Sequence, residues 1–459
     1  MRVAWPLKRN NEAVVSAPGV SNLRRRPFQL VAVGFAGAIA AGAALLMLPV
    51  ATAGDAATPL TALFTATSAV CVTGLVVVDT PTAWSPFGQG VILLLIQIGG
   101  FGIMTMASLL GLMISRRLGL QTRLAAAAST RTVGLGDVRS VLVGVARVTL
   151  IVEVATAVIL TARWTLGYGE PIGRALWLGV FHAVSAFNNA GFSLFSDSLV
   201  GFATDPWICL PITIAVILGG LGFPVILELW RQHRRPSRWS LHSKITILMT
   251  GVLLPLGTLF FLIAEWGNTL AGFDVPGRVL AAFTQSVMPR TAGFNSVDTG
   301  SMHEGTLLGT DVLMFIGGGS ASTAGGIKVT TFAVLLFVIW SEVRGDPDVS
   351  LFDRRMTTSA QRQAVSVVLV GVAVVIIPTI AISLTSRFGV GEVLFEVISA
   401  SGTVGLSTGI TSELSPAHQL IIVALMFLGR LGPITFAAAL AVRERQRFFR
   451  YPESAPIIG

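Results

Sequence analysis

The sequence CVTGLVVVDT occupies residues 71–80 and sets a Thr-Gly pair among apolar residues, with an acid near its end. It offers no metal-ligand pair and no nucleophile beyond one cysteine. Similar stretches recur as NNAGFSLFSD, RTAGFNSVDT and GTVGLSTGIT, which begin at Asn188, Arg290 and Gly402. Aligned on one glycine, the copies are 117, 102 and 112 residues apart, at Gly74, Gly191, Gly293 and Gly405. Such recurrence indicates an internal repeat of one structural unit.

Further features recur around the aligned glycine. Three copies have a serine six residues before it: Ser68, Ser185 and Ser399. The third copy along the chain has Val287 at this position, beside Ser286. The residue directly after it is bulky and apolar in every copy: Leu75, Phe192, Phe294 and Leu406. A second motif, IGGFG, LGGLG, IGGGS or LGRLG, has its first glycine 24 to 28 residues downstream. Two matched motifs predict four tandem units, each a long helix, a short apolar segment, a glycine loop and another long helix.

The composition is that of a membrane protein. Of 459 residues, 53% are hydrophobic and 12% are charged, which is about half the charged share of a typical soluble domain. Stretches of roughly 20 residues with few charges are long enough to cross a hydrocarbon core of about 30 Å. Eight such stretches occur, at about 28–48, 91–113, 141–162, 207–229, 245–264, 307–340, 364–384 and 420–442. The sequence therefore predicts an all-α polytopic membrane protein.

Basic residues cluster between the predicted spans. The runs are Arg24–Arg26, Arg116–Arg139, Arg231–Lys244, Arg344–Arg362 and Arg443–Arg450. If both termini lie in the cytosol, this distribution follows the positive-inside rule. The net charge of +9 therefore predicts orientation toward anionic lipid and no binding of nucleic acid. Cys71 and Cys209 lie in different segments and predict neither a metal site nor a disulfide.

Four short apolar segments precede the aligned glycines, at about 59–70, 174–187, 277–287 and 391–400. At about 1.5 Å rise per residue, each reaches half way through a membrane and must turn back. Non-helical backbone at that depth is tolerated where it lines a polar cavity or is buried in protein. We therefore predict four re-entrant loops arranged with pseudo-fourfold symmetry around one pore.

The glycine stretches are the predicted filter of that pore. Backbone carbonyls can replace the water shell of an ion, and pointing them inward requires residues at φ > 0, which glycine adopts without steric cost. Asp79, Asp197 and Asp298 follow a few residues later and are predicted to concentrate cations at the outer mouth. The predicted filter stretches are Cys71, Val72, Thr73, Gly74; Asn188, Asn189, Ala190, Gly191; Arg290, Thr291, Ala292, Gly293; and Gly402, Thr403, Val404, Gly405.

These motifs resemble the Trk/Ktr/HKT superfamily of potassium transporters, which carry four tandem M1–pore–M2 units in one chain. The resemblance covers residues 28–445 and is most specific at the filter stretches and at GGGSASTAGGIK. Without an extra N-terminal helix pair, the chain is most similar to the Ktr membrane subunit. Glycine in all four filter copies implies a preference for potassium. The predicted repeats are 28–115, 139–232, 241–344 and 361–443, between a cytosolic segment 1–27 and a cytosolic tail 444–459.

The resemblance also implies partners and a location. It implies a homodimer in the cell (inner) membrane with both termini in the cytosol. It further implies a separate cytosolic nucleotide-binding ring of the RCK type. Potassium is the transported ion in this interpretation, no cofactor is bound covalently, and coupling to or activation by sodium is left open.

The third repeat departs from the others. Its last apolar stretch is too long for one crossing, and residues 317–328, GGGSASTAGGIK, interrupt it. Glycine pairs, with hydroxyls that compete for backbone hydrogen bonds, predict a helix break below the filter. The run does not match a nucleotide-binding GxxxxGK[ST] loop, because Ile327 separates Gly326 from Lys328. The resemblance implies that this loop gates the pore, with gate residues Gly317, Gly318, Gly319, Ser320, Thr323, Gly325, Gly326, Lys328 and Arg430.

Four charged side chains at membrane depth stand out, because such charges are usually functional. Lys328 is either a gating charge or a side chain that snorkels to the cytosol. Arg430 is predicted either to oppose cation flow below the filter or to be structural, as a member of an ion pair or as a clamp on carbonyls. Arg290 is predicted to point behind the filter and brace carbonyls, and Glu153 to pair with another helix or a re-entrant backbone amide. At the position of Arg430 the other copies have Gly100, Gly220 and Gly318.

The function that follows is channel-like uptake of potassium. The ion loses its water, passes the carbonyl filter and meets the loop and Arg430, driven by the membrane potential at about 2.3 kcal/mol per charge per 100 mV. A sodium-permeable HKT-like transporter is the alternative within transport. An inverted-repeat carrier is disfavoured because the repeats run in one direction. An intramembrane enzyme is disfavoured because no histidine–acid or serine–lysine constellation lies at membrane depth.

Overall fold

The computed structural model describes residues 26–117 and 138–442, and the described chain is mostly helical. The predicted cytosolic tail 444–459 lies outside the described residues. The same holds for all but the last two residues of the predicted cytosolic segment 1–27 and for most of the basic run Arg116–Arg139. The first group of helices is α1 (Arg26–Leu46), α2 (Pro59–Val70), α3 (Thr80–Ala83) and α4 (Pro86–Arg117). The second is α5 (Val138–Tyr168), α6 (Ile172–Phe187), α7 (Pro206–Leu221) and α8 (Phe223–Gln232).

Two further groups follow the same order of long, short and long helix. The third is α9 (Leu241–Glu265), α10 (Val275–Val287), α11 (Glu304–Phe315) and α12 (Val329–Arg344). A two-stranded antiparallel hairpin connects it to the fourth, with Ser350 of β1 (Ser350–Leu351) opposite Arg355 of β2 (Arg354–Arg355). The fourth group is α13 (Thr358–Ser383), α14 (Val390–Gly402) and α15 (Pro416–Val442). Single 3-10 turns occupy Pro49–Ala51, Val200–Phe202, Pro236–Arg238, Thr299–Ser301 and Ile410–Glu413.

The short helices predicted before each aligned glycine are confirmed as α2, α6, α10 and α14. Their lengths of 12, 16, 13 and 13 residues correspond to about 18–24 Å, less than a hydrocarbon core. Local signals set their starts: Thr58 accepts a hydrogen bond from Thr61 N ahead of α2, and Asp274 accepts one from Gly277 N ahead of α10. Proline in the first turn supports both starts.

Several long helices have the length and composition of membrane spans. Among the described residues, four are long and apolar enough to cross a bilayer: Pro86–Met106, Val141–Tyr168, Leu241–Glu265 and Thr358–Ser383. The pair α7 and α8 makes a fifth if it is counted as one bent span. Apolar segments at Val31–Leu46 and Pro416–Gly432 are shorter within the residues searched. The protein is therefore a multi-pass membrane protein, in agreement with the predicted fold class.

Burial separates the short helices from the long ones. Phe64, Phe181 and Phe395, on α2, α6 and α14, are completely buried. By contrast, Leu166 on α5 and Ile263 on α9 are 86% and 74% exposed. Apolar side chains that face outward on long helices are the expected arrangement in lipid, and the short helices therefore form the centre of the molecule.

Two long segments are interrupted near the centre. The axes of α7 and α8 differ by 100° at Gly222, which has φ +94°. In the third group, α11 ends at Phe315 and α12 begins at Val329. The helix break predicted within 307–340 is therefore confirmed, and the intervening residues 317–328 form a loop between two helices.

Candidate ion pathway

The four predicted filter stretches share one backbone pattern. In each, the aligned glycine has a positive φ, at 93°, 70°, 74° and 96° in chain order. The residue two positions earlier also has a positive φ: Val72 55°, Asn189 59°, Thr291 69° and Thr403 49°. A left-handed conformation costs a non-glycine residue about 1–3 kcal/mol and persists only where its surroundings enforce it. The same strain at the same position in four copies makes these stretches the candidate functional site.

The four aligned glycines come together in space. A Cβ on any of them would lie closer than 3.0 Å to a carbonyl oxygen of the next stretch. The pairs are Gly74 with Ala190 O, Gly191 with Ala292 O, Gly293 with Val404 O, and Gly405 with Thr73 O. These contacts run from the first copy to the fourth and back, so they close a ring, hereafter the glycine ring. Glycine is required in the ring by space as well as by φ.

The recurrent serine holds the N–H groups of its stretch. Ser68 Oγ accepts a hydrogen bond from Gly74 N and Ser399 Oγ accepts one from Gly405 N, both at 3.0 Å. In the second copy, Ser185 Oγ instead donates to Phe192 O at 2.8 Å. The backbone carbonyls of the three serines accept from the residue before the glycine at 2.7–2.8 Å. The N–H group before the glycine is therefore satisfied on the side of the short helix in three copies and that of the glycine in two, a role that spacing alone did not reveal.

The third copy is held differently, because Val287 replaces the serine. Here Met288 O accepts from Ala292 N at 3.0 Å and from Gly293 N at 3.4 Å. Arg290 is buried, and its Nη2 has no hydrogen-bond partner among the described residues. The prediction that Arg290 braces carbonyls is therefore wrong for this structure. The stretch is held instead through its own backbone, by the bonds of Ala292 and Gly293 to Met288 O, and the carbonyl of Arg290 itself lies 3.5 Å from the Asn189 amide.

The second glycine motif lets a long helix pass the end of a short one. A Cβ on Gly99 of α4 would overlap Val70 O, the last carbonyl of α2. Gly219 of α7 lies against Phe187 O at the end of α6 in the same way. Gly429 of α15 lies against Ser401 O near the end of α14. In the third copy Gly317 packs instead on Gly325 O, since the long helix is broken there.

The partners of Glu153 are two side-chain amides. Asn188 Nδ2, in the second filter stretch, donates to Glu153 Oε1 at 3.1 Å, and Gln97 Nε2 donates to Glu153 Oε2 at 3.3 Å. Asn188 Nδ2 also donates to Gln97 Oε1 at 2.8 Å and to Val184 O at 2.9 Å. The predicted pairing with another helix is confirmed through Gln97 on α4, whereas the partner in the re-entrant segment is a side chain. Asn188 therefore points away from the ring into a polar cluster of Gln97, Glu153 and Asn188.

The loop 317–328 folds back on itself and onto the second group of helices. Gly317 N donates to Ile327 O at 2.8 Å, which brings the two ends of the loop side by side. Gly319 N donates to Gly220 O at 2.7 Å and Thr323 N donates to Gly219 O at 3.2 Å. Gly219 and Gly220 of LGGLG therefore contact the loop, and Gly219 also packs against the end of α6.

The same loop touches the filter stretches of the second, third and fourth copies. Thr323 Oγ1 donates to Phe187 O at 3.3 Å and lies 3.0 Å from the Asn189 amide. Gly325 N donates to Thr291 Oγ1 at 3.3 Å. A Cβ on Gly325 would overlap Thr403 Oγ1 and Gly402 O. The structure thus packs the loop directly against three of the four stretches.

The two basic side chains predicted at the gate both bind loop carbonyls. Lys328 Nζ donates to Ala324 O at 2.5 Å and to Gly325 O at 3.3 Å. It therefore turns back onto the loop and does not snorkel. Arg430 Nη1 donates to Thr323 O and its Nη2 donates to Gly99 O at 3.4 Å. The arginine is 3% exposed and acts as the carbonyl clamp that was one of its two predicted roles.

The predicted acids of the outer mouth all accept hydrogen bonds, which are local except for one that joins the first copy to the second. Asp79 Oδ2 accepts from Ser196 Oγ at 2.7 Å and from Thr82 Oγ1 at 2.8 Å. Asp197 and Asp298 accept from the backbone N–H of Gly201 and Gly300. Asp197 and Asp298 are exposed and Asp79 is partly exposed, so all three carboxylates keep contact with solvent while they fix their turns.

Comparison with known proteins gives a consistent result. The TrkH family, described as cation transport protein, matches residues 25–451. The Ktr system potassium uptake protein B of Bacillus subtilis is 41% identical over 442 residues, which cover 95% of this chain and 98% of that protein. The protein of the same name from Vibrio alginolyticus is 38% identical over 435 residues, 94% of each chain.

Two further comparisons concern a relative named for both potassium and sodium, and a solved structure. The potassium/sodium uptake protein NtpJ of Enterococcus hirae is 35% identical and covers 95% of this chain and 98% of its own. The crystal structure of the potassium transporter TrkH from Vibrio parahaemolyticus has a TM-score of 0.69 at 17% identity, over 93% of this chain and 86% of that one. That likeness shows a shared fold. The chain therefore belongs to the TrkH family of cation transport proteins.

Proposed function

We propose that the protein is the ion-translocating subunit of a potassium uptake system. The observation that carries the proposal is the glycine ring, in which each glycine lies against a backbone carbonyl oxygen of the next stretch. Four carbonyls around one path provide the ligands with which a filter replaces the hydration shell of potassium. Two of the relatives are named potassium uptake proteins.

The short helices favour a cation at this ring. α2, α6, α10 and α14 all end at or just before their filter stretches. The C-terminal end of a helix carries a partial negative charge of about half an electron. Four such ends directed at one site stabilise a cation without a carboxylate. In this proposal the filter residues are the four stretches 71–74, 188–191, 290–293 and 402–405, potassium is the cargo, and no cofactor takes part.

The loop 317–328 is the proposed gate, and the structure would then represent its closed position. The loop lies against three filter stretches, and Lys328 and Arg430 hold its carbonyls. Conduction requires these contacts to break so that the loop leaves the path. The gate residues are Gly317, Gly318, Gly319, Ser320, Thr323, Gly325, Gly326, Lys328 and Arg430.

The wider assembly is also part of the proposal. Repeats at 28–115, 139–232, 241–344 and 361–443 would surround the pore, in the cell (inner) membrane with both termini cytosolic. The basic connectors 231–244 and 344–362 would then face the cytosol, where a homodimer would dock on an RCK-type nucleotide-binding ring. In this proposal the protein transports ions and catalyses no chemical reaction.

Uptake by the purified chain tests the proposal. Liposomes that contain the protein and internal potassium should accumulate rubidium down a membrane potential, and protein-free liposomes should not. Sodium uptake as fast as rubidium uptake would assign the chain to sodium-permeable transporters instead. Uptake equal to that of protein-free liposomes, with or without added ring subunits, would reject ion translocation.

A further inference from the structure

A basic cavity lies between two connectors on the face that we assign to the cytosol. Its volume is about 1370 Å³. One wall is the connector between α8 and α9, and the other is the turn of the β1–β2 hairpin at Phe352–Arg354. Six basic side chains line it: Arg231, Arg234, Arg235, Arg238, Lys244 and Arg354. The single carboxylate in the lining is that of Asp353.

Three arginines of this cavity, Arg234, Arg235 and Arg238, take no part in the ion pairs of the described part of the chain. The nearby carboxylate of Glu228 accepts from Ser240 N and Ser240 Oγ, both at 2.7 Å, and takes part in none of the ion pairs among the described residues. The ion pair closest in sequence to the hairpin turn joins Arg355 to Asp348, outside the lining. The cavity therefore favours a ligand with at least one phosphate or other strong anionic group.

The depth of the cavity points to lipid as the source of that anion. α9 enters its apolar stretch at Leu241, three residues after Arg238. Two indoles near the ends of α8 and α12, just ahead of the two connectors, are exposed, Trp230 at 61% and Trp340 at 59%, and the guanidinium of Arg344 lies 5.2 Å from the Trp340 ring. Exposed tryptophans on membrane helices mark the headgroup level of a bilayer. Basic pockets at this level of the cytosolic leaflet suit anionic headgroups.

We propose that this cavity is a binding site for the headgroup of an anionic phospholipid. The phosphate would lie among the arginines of the α8–α9 connector and Arg354 of the hairpin, and so join the two walls. Lys244 already bridges them, since its Nζ lies 5.5 Å from the ring of Phe352. The acyl chains would leave along the apolar surface of α9, where Leu248 and Val252 are exposed.

Both walls of the site connect directly to the loop 317–328. α8 begins at Phe223, whose N–H donates to Ala321 O at 3.2 Å. A Cβ on Gly222 would collide with Ser320 O, so the start of α8 and the loop are closely packed at this junction. α12, which leads to the hairpin, begins at Val329 directly after the loop. A ligand that prefers one spacing of the walls must therefore bias the loop; a consequence for transport rests on the proposed function, whereas binding does not.

Lipid binding by the full chain tests the site. Detergent-purified protein, depleted of lipid, is titrated with phosphatidylglycerol or phosphatidylcholine of equal acyl chains and observed by native mass spectrometry. The variant Arg235→Gln/Arg238→Gln removes two lining charges, and Arg344→Gln/Arg362→Gln removes two exposed charges elsewhere on this face. We expect affinity for phosphatidylglycerol to fall about 30-fold in the first variant and less than threefold in the second. Equal thermal unfolding of the variants verifies folding.

The other outcomes separate competing ligands. Unchanged phosphatidylglycerol binding in the cavity variant overturns the proposal and leaves the cavity to an acidic protein surface. Displacement of the lipid by glycerol 3-phosphate at similar concentration overturns it in favour of a soluble phosphate. Hydrogen exchange of residues 317–328 should slow with phosphatidylglycerol in the wild type and not in the cavity variant. Exchange that does not respond to bound lipid would reject the connection to the loop.

Discussion

The guanidinium of Arg430 donates a hydrogen bond to the carbonyl of Thr323, which lies 107 positions earlier in the loop. The same side chain reaches Gly99 O on α4, so one arginine joins the fourth group of helices to the first and third. In the proposed function, a buried guanidinium bonded to these carbonyls would be both a positive charge near the path and a restraint on the loop. The two roles predicted for Arg430 from sequence, barrier and clamp, are therefore compatible.

Replacing this arginine should release the restraint. We expect Arg430→Ala to raise cation flux, because both the loop contact and the positive charge are lost. The free energy of unfolding should fall by about 1.5–3 kcal/mol, the usual contribution of hydrogen bonds to a charged group. Rubidium uptake and thermal unfolding, measured on one preparation, check both parts.

Arg344→Ala, an exposed arginine on α12, is the matched control and should change neither quantity. Lower flux from Arg430→Ala, together with a large loss of stability, would make the arginine a brace for the whole pathway. Lower flux with unchanged stability would mean that the charge assists conduction.

The cluster of Gln97, Glu153 and Asn188 should support the second filter stretch. Glu153→Ala removes an acceptor of Asn188 Nδ2, and we expect potassium-over-sodium discrimination to weaken by several-fold because the stretch loses its anchor. Glu153→Gln keeps one acceptor oxygen and should have a smaller effect. A double-mutant cycle with Gln97→Ala should give a coupling of about 0.5–3 kcal/mol in unfolding free energy. Additive effects would show that the three side chains do not act together.

Much of this arrangement was predictable from sequence because it depends on local patterns. The helices that reach half way through the membrane follow from short apolar segments. Two of them begin after a capping residue, Thr58 or Asp274, and have proline in the first turn. The break after α11 follows from the glycine run at 317–328. The meeting of the four glycines follows from the repeat itself, since equivalent segments around one axis bring equivalent residues together.

The remaining features depend on partners that are distant in sequence. Asn188 and Glu153 are 35 positions apart, and no spacing rule pairs an amide with an acid across different helices. The 100° bend at Gly222 is needed because the loop of another repeat occupies the space beside it. Arg290 was misjudged because a charged residue beside a filter suggests a brace, whereas its buried Nη2 meets no acceptor among the described residues.

The glycine ring should be intolerant of any side chain. Gly74→Ser adds a Cβ that would overlap Ala190 O at a residue with φ +93°, which costs about 1–3 kcal/mol of strain. We expect potassium-over-sodium discrimination to fall about tenfold. Gly251→Ser on α9 is the control, since a Cβ there has nothing within 4 Å. Equal discrimination in Gly74→Ser and wild type, from paired rubidium and sodium fluxes, would exclude the ring as the filter.

The contact between the loop and the second filter stretch should keep the gate closed. Thr323→Val keeps the shape of the side chain but removes Oγ1, which lies 3.3 Å from Phe187 O and 3.0 Å from the Asn189 amide. Loss of about 1 kcal/mol of hydrogen bonding favours the displaced loop by about fivefold. We expect rubidium uptake to rise by a similar factor without loss of ion discrimination, because the glycine ring is untouched.

A hydroxyl just after the same loop, which does not reach the filter, provides the control for this prediction. Ser320 Oγ lies 3.2 Å from Thr330 Oγ1, at the start of α12. Thr330→Val should therefore leave uptake near the wild-type rate, although it removes a hydrogen bond of similar strength at a residue not assigned to the gate. Equal increases in both variants would indicate general loosening of the loop. A decrease in Thr323→Val alone would mean that this contact supports the path, and the loop would then be part of the conduit instead of its barrier.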